Sequence, residues 1–338
     1  MTCYVVVGGF FGDEGKGKIV AYLALNSNVN AAVRVGSINA GHTVTINNKE
    51  IKLRIIPSAF INNYAKLYIA AGANISPSVF LKEVELTNTY SRVWIDYNTS
   101  IIDQEHVERD RASQYLKEKI GTTGSGVGPA VEDRVKRIAK TAREIDELKP
   151  FTIDVAQEVN RIIDDDGTVI IEGTQGTYLS LYHGTYPYVT SRDTTASGIC
   201  SEAGIGPKRV DEVIVVFKSF VTRVGGGPLE GELSEEEAIK RGWLEIATVT
   251  GRKRRSAPFN FNLAKRSVMI NSATQIALTK LDSIFPEVRG LRSYYDLPLN
   301  AKKFIEEIEN TCKVPVTIIG TGPDVHDTID RRRELKLI

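Results

Sequence analysis

Short apolar runs recur along the chain, and most are spaced widely enough for a helix between them. Residues 4–7, 31–35, 67–71, 93–95, 168–172, 213–217, 275–279 and 316–319 are β-branched or otherwise apolar, without polar alternation. Runs of that length and texture predict strands buried on both faces. Between them the period changes. Residues 19–24 open a helix, Ser76 and Pro77 begin another that runs to about Glu85, 103–119 form a charged helix, and 151–163 are amphipathic. Asn300 is placed to cap a helix reaching about Asn310. Residues 44–46 and 50–56 flank Asn47 and Asn48, which predicts a hairpin. Strands alternating with helices imply an α/β fold, a mostly parallel central sheet covered by helices, with small excursions. No repeat, low-complexity tract or linker divides the pattern, so residues 1–338 are expected to form a single domain.

Polar loops follow several of these strands, and ligands of such sheets bind beyond the carboxyl ends. The first loop carries Gly8, Gly9, Gly12, Gly15 and Gly17 with Asp13, Glu14, Lys16 and Lys18, between a strand and a helix. Free backbone N–H groups and the positive helix end make that arrangement an anion site. From Gly12 to Lys18 the spacing is that of a P-loop, but Ile19 stands where a serine or threonine would hold Mg²⁺. A carboxylate inside a phosphate loop is repelled by the ligand unless a metal or a reacting proton lies between. Asp13 is therefore a candidate Mg²⁺ ligand, a proton acceptor, or both. The bland alternative, a glycine turn with two solvated lysines, leaves the embedded acid without a purpose. A second glycine-rich loop, 121–129, again opens a helix.

Composition removes whole classes of partner. Lys plus Arg number 43 and Asp plus Glu 42, a balance that argues against nucleic acid and membrane surfaces. Cys3, Cys200 and Cys312 are far apart and form no Cys-x-x-Cys, so they read as reduced thiols of a cytoplasmic protein. No signal peptide or membrane-spanning run is visible.

Positive charge is local instead. Arg252, Lys253, Arg254 and Arg255 follow Gly251 in a loop that is either a solvated basic turn or a clamp for a small polyanion. Lys280 and Asp282 follow one buried strand, and Gly320, Thr321 and Gly322 follow the next. A carboxylate there can accept from the N1–H and 2-amino groups of guanine, a donor pair that adenine lacks. Alone, Lys-x-Asp is a common strand end; beside a phosphate loop, guanine becomes a competitive reading. Of His42, His106, His183 and His326, His42 lies in a glycine loop that should neighbour the phosphate loop, suited to a phosphate donor or general acid. His106 falls in the charged helix and is expected at the surface.

Taken together these stretches resemble the adenylosuccinate synthetase family. Residues 12–18, 39–43, 120–130, 172–177, 183–190, 222–225 and 279–282 are similar to its motifs, in order, over nearly the whole chain. The resemblance implies a P-loop-like α/β domain and a GTP-dependent ligation of IMP and L-aspartate to adenylosuccinate, GDP and phosphate through 6-phosphoryl-IMP. It also implies one Mg²⁺ per active site and a homodimer. By the same resemblance Asp13, His42, Lys16 and Gln175 would be catalytic. GTP would meet Gly12, Gly15, Lys16, Gly17, Lys18, Gly41, His42, Thr43, Lys280, Asp282, Gly320, Thr321 and Gly322. IMP would meet Asp13, Asn39, Thr123, Gln175, Thr190, Val224 and Arg254, with Arg137 reaching its phosphate from the partner subunit. Aspartate would meet Thr250, Arg252 and Arg254, and Mg²⁺ would meet Asp13 and the Gly41 carbonyl. The chain departs from the family pattern in being shorter, in Ser125 for a common arginine, in Ser37 and Ile38 within a Gly-Gly-His run, and in Arg192 and Asp193 for a Ser-Asn pair. A GTP-dependent switch is the competing reading, but it gives no use to Asp13, His42 or the arginine loop. A nicotinamide-dependent enzyme lacks the Gly-x-Gly-x-x-Gly spacing after the first strand.

Overall fold

The computed structural model describes residues 2–246 and 251–338. In chain order the elements are β1 (Thr2–Gly8), α1 (Lys16–Asn26), β2 (Val29–Arg34), β3 (His42–Ile46), β4 (Lys49–Leu53), β5 (Lys66–Ile69), β6 (Asn74–Ile75), α2 (Pro77–Thr87), β7 (Val93–Asp96), β8 (Ser100–Ile101), α3 (Gln104–Ala112) and α4 (Val127–Lys136). There follow β9 (Thr152–Ile153), α5 (Val155–Asp164), β10 (Thr168–Glu172), α6 (Ala196–Ala203), β11 (Glu212–Lys218), β12 (Phe220–Arg223), α7 (Glu235–Lys240), β13 (Arg255–Pro258), α8 (Phe261–Asn271), β14 (Gln275–Thr279), α9 (Leu299–Cys312), β15 (Val316–Gly320) and β16 (Thr328–Asp330).

Ten strands make one sheet in the order β16-β15-β14-β11-β1-β10-β2-β5-β7-β9. Every pairing in it is parallel except β15 with β16. Successive side chains of a strand point to opposite faces, and in β1 both faces are core. Cys3, Val5 and Val7 join the cluster on one side, while Tyr4 and Val6 join the cluster on the other. That is why the strand runs are apolar throughout. Each large apolar side chain so buried contributes roughly 1.5–3 kcal/mol relative to exposure.

Parallel pairing also gathers the carboxyl ends of the strands along one edge. Val6 is in register with Glu172, Glu172 with Arg34, Gly8 with Val216, and Lys218 with Thr279. Arg34, Glu172, Lys218 and Thr279 are all buried although polar. The loops that leave this edge form the site described below.

Several local expectations need correction. The hairpin strand β4 stops at Leu53 because the Glu83 carboxylate accepts from the N–H groups of Arg54, Ile55 and Ile56, at 2.7, 3.0 and 3.0 Å. Those amides are no longer free for a ladder. The charged helix ends at Ala112, and residues 115–120 form a separate wider turn. That turn places Leu116 and Ile120 on the cavity wall. His106 is buried between Asp103 and Asp133, a position the charge pattern of α3 did not reveal. The helix α9 starts one residue before Asn300, with Pro298 at its N-cap. Residues 316–319 do not form the last strand, since three-residue β16 pairs antiparallel beyond them. Cys3, Cys200 and Cys312 are free and buried, and burial pushes the Cys3 thiol up to about 12 and the other two to about 11. Thiols so shifted are poor nucleophiles. Among the described residues, no helix is long and apolar enough to cross a membrane.

Candidate active site

The phosphate loop is shaped by Glu14. Its Oε1 accepts from the N–H groups of Phe10 and Gly12, at 3.0 and 2.8 Å, and its Oε2 lies 2.6 Å from Lys16 Nζ. Thr279, at the end of β14, donates to the Glu14 carbonyl at 2.6 Å. Gly15 sits at φ 86° as the N-cap of α1, a conformation that suits glycine. Gly17 has a different reason: a Cβ there would lie 2.9 Å from the Cβ of His42. Its absence lets the histidine loop pack directly against the first turn of α1.

Beyond these loops lies a cavity of about 620 Å³, a size typical of small-molecule sites. Asp13, Lys16, Asn39, Gly41, His42, Thr43, Thr123, Gln175, Thr190, Val224, Arg252, Arg254, Lys280 and Gly322 line it, as do Gly12, Gly15, Gly17 and Lys18. Residues more than 200 positions apart are thus brought to one space. Asp282, Gly320, Thr321 and Arg137 do not line it. Asp282 flanks the opening beside Lys280, with its Oδ1 buried and unpartnered. The Thr321 hydroxyl is turned away and donates to the Leu291 carbonyl at 2.7 Å. Arg137 is not within a helix but caps the end of α4 at φ 67°, exposed and away from its own cavity. Thr250 lies outside the described residues. Lys18 faces the cavity only with its stem, because its ammonium is held by the Gly322 and Asp327 carbonyls at 2.5 and 2.7 Å. Burial pushes Lys18 down to about 8.

Buried polar atoms without partners are costly, about 1–3 kcal/mol each. Asn39 Oδ1, His42 Nε2, Gln175 Oε1, Ser191 Oγ and Arg254 Nε are such atoms, and each belongs to a cavity-lining residue. Asp13, Gln175 and Lys280 also hold positive φ, at 65°, 62° and 59°. Side chains that large rarely occupy the left-handed region except where function retains the strain.

His42 is supported from behind. Its Nδ1 meets the Glu172 Oε1 at 2.6 Å and the Arg34 guanidinium, which also pairs with Glu172. Ser58 completes the set, donating to Glu172 from its N–H at 2.7 Å and its hydroxyl at 2.6 Å. Burial and then Arg34 hold His42 well below the ordinary histidine value. Burial alone would raise Glu172, but Arg34, His42 and Ser58 outweigh it and keep this carboxylate ionised. A guanidinium can only donate, so it takes the Nδ1 lone pair of the neutral ring. The proton then sits on Nε2 and faces the cavity.

Asp13 stands in a charge cluster that sequence did not disclose. Its Oδ2 lies 2.6 Å from Arg254 and 3.3 Å from Lys218 Nζ. The Glu245 carboxylate shares both cations, at 2.8 and 2.9 Å, and reaches Lys280 at 3.3 Å. Enclosure pushes the Asp13 pKa up, Lys218 and Arg254 pull it down, and Glu245 adds to the rise. The balance stands above the ordinary carboxylate value, although the side chain keeps 37% of its exposure, all towards the cavity mouth. Glu14, Arg34, Glu172 as a histidine partner, Lys218 and Glu245 were missed as functional residues. A lone charge near the end of an apolar run was their only signal. Two of the departures from the family pattern meet one another: Arg192 donates to Ser37 Oγ at 3.0 Å and to the Gly72 carbonyl at 2.7 Å.

The adenylosuccinate synthetase family model matches residues 5–147, 138–288 and 285–329. The adenylosuccinate synthetase of Thermococcus onnurineus is 53% identical over 99% of this chain and 100% of that one. The one from Methanocaldococcus jannaschii is 52% identical over 99% of this chain and 98% of its own. Among solved structures, fully ligated adenylosuccinate synthetase from Plasmodium falciparum superposes with a TM-score of 0.88 at 27% identity, covering 97% of this chain and 99% of that one.

Proposed function

The chain belongs to the adenylosuccinate synthetase family, a GTP-dependent ligase joining IMP and L-aspartate in AMP biosynthesis, and from that premise we propose how its cavity divides the work. Asp13 removes the N1 proton of IMP, and the electron pair moves to the 6-oxygen. That oxygen attacks the γ-phosphorus of GTP, the bond to the β–γ bridging oxygen breaks, and GDP leaves. The aspartate amine then adds at C6, and phosphate departs with the former 6-oxygen. An acceptor whose pKa is raised by enclosure is suited to the first step. The Nε2–H of His42 is suited to the charge that gathers on the transferring phosphoryl group, and Lys16 and the loop amides share that load.

The same reading assigns the remaining walls. Asn39, Thr123, Gln175, Thr190, Val224 and Arg254 hold IMP. Arg252, Arg254 and Thr250 hold aspartate. Lys280, Asp282 and the 320–322 loop hold guanine, and the unpartnered Asp282 Oδ1 is the acceptor that its N1–H would need. Among the described residues no cluster of three metal-ligating side chains exists. One carboxylate and one carbonyl, Asp13 and Gly41, fit Mg²⁺, which takes few protein ligands beside water and substrate phosphates. Bound there, Mg²⁺ would neutralise charge on the β- and γ-phosphates.

The observation that carries this reading is the meeting of Asp13, His42, Lys16, Arg252, Arg254 and Lys280 around one cavity. The test follows the change in ultraviolet absorbance as the 6-oxo purine becomes a 6-amino-substituted one. GTP, IMP, aspartate and Mg²⁺ are each omitted in turn. Turnover is expected only with all four. GTP hydrolysis unaffected by IMP and aspartate would return the chain to the switch reading.

A further inference from the structure

Glu245 is the group that, among the described residues, touches all three cations at the base of the cavity. It lies 2.8 Å from Arg254, 2.9 Å from Lys218 and 3.3 Å from Lys280. Asp13 competes for two of these, Arg254 at 2.6 Å and Lys218 at 3.3 Å. The supports of Glu245 are rigid. Its carbonyl accepts from the Arg254 N–H at 2.9 Å, and Ile246 bridges Lys253. Two residues earlier, Trp243 stacks on Phe220 at 4.7 Å between ring centres. Lys218 is equally fixed: it is buried, lies 2.7 Å from Thr222 Oγ1 and packs 4.6 Å from the centre of the Phe220 ring. It cannot swing away to relieve the cluster.

We propose that Glu245 is a positioning residue that draws Lys218 and Arg254 off Asp13, keeping the Asp13 carboxylate free to face substrate. The cluster holds three cations against two carboxylates. Without the charge of Glu245, Asp13 becomes the sole counter-ion for Lys218 and Arg254. An opposite charge at hydrogen-bond distance favours the bound, ionised carboxylate, and both its lone-pair directions towards the cavity are then taken by protein donors. Arg254 is drawn down with it. Substrates still find their walls, but the acceptor is occupied when they arrive. The loss therefore falls on turnover and not on binding, and removing the surplus cation should undo part of it.

This inference rests on the reading of Asp13 as the proton acceptor. Its test uses the full chain with GTP, IMP, aspartate and Mg²⁺, comparing wild type, Glu245→Gln, Lys218→Met and the double variant. Thermal unfolding is recorded for each. Glu245→Gln, nearly isosteric, is expected to lower kcat by about tenfold or more with KM for GTP and IMP within about threefold. The double variant is expected to be at least about threefold faster than Glu245→Gln, a non-additivity that a purely structural role would not give. Should Glu245→Gln fail to fold, Glu245→Asp, which shortens the reach, gives the same comparison. A single variant with kcat within about threefold of wild type overturns the proposal, as does a double variant no faster than Glu245→Gln. Wild type that makes no adenylosuccinate would overturn the functional reading itself, a different failure.

Discussion

At the scale of residues, the reaction assigned to this cavity asks most of Asp13. It is held at positive φ inside a phosphate loop, where geometry aims it at the ligand and charge would otherwise repel the phosphates. Asp13→Asn keeps the shape and removes the acceptor. We predict normal folding, retained IMP binding and a kcat lower by about three orders of magnitude or more. A variant within about tenfold of wild type would remove Asp13 from the proton transfer. His42 and Glu172 make a second prediction, in stability. Both are held below their ordinary values in the folded chain, so the unfolded chain binds more protons at mildly acid pH. Their contribution is complete above the ordinary histidine value and is lost as the pH falls through the histidine range and then the carboxylate range. Thermal unfolding from neutral pH downward should show a steep loss of Tm, flattened in the histidine range by His42→Gln. Parallel curves would show that His42 is not the group refusing the proton. Asp13 and His42 were legible in the sequence because each stands in a glycine-rich loop. Glu245 and Lys218 were not, because nothing local distinguishes them from solvated charges.

At the scale of elements, function is written into the last residue of each strand. Arg34, Glu172, Lys218 and Thr279 end β2, β10, β11 and β14, and parallel register sets them side by side. The apolar runs made the strands readable, and the parallel class followed from their texture. Strand order was not readable, so the partnership of Arg34 with Glu172, 138 positions apart, had no local sign. The hairpin, α3 and α9 were misjudged at their ends for a related reason: Glu83, Asp110 and Pro298 act there from outside the local pattern. Asp110, for instance, accepts from Thr122 and Gly126, both at 2.8 Å, and so ties α3 to the second glycine loop. Lys18 shows the same kind of tie and is testable. Its ammonium joins α1 to the loop after β15 through two carbonyls. Lys18→Met loses two charge-assisted hydrogen bonds, and we expect a lower Tm with KM for GTP raised by about tenfold and KM for IMP changed far less. Equal effects on both KM values would place Lys18 on the phosphates instead of behind the guanine loop.

At the scale of the whole molecule, one proposed ligand lies off its own cavity. Arg137 is exposed at the end of α4, between Val135 and Ile138, which are 74% and 68% exposed. We propose that a second copy covers this surface and receives Arg137 at its IMP site. Asp13→Ala and Arg137→Leu should each be nearly inactive, yet mixing them should restore about a quarter of wild-type activity, because half the sites in half the dimers are intact. Confirmed subunit exchange without any recovery would put Arg137 outside the neighbour's site. The central claim is that the cavity joins three substrates through a phosphorylated 6-oxygen. The most direct measurement follows that atom. IMP labelled with ¹⁸O at the 6-position is converted with GTP, aspartate and Mg²⁺ in ordinary water, and the phosphate is analysed by mass. The account predicts one ¹⁸O in each phosphate released and none left on the purine. Unlabelled phosphate, with adenylosuccinate formed all the same, would contradict it.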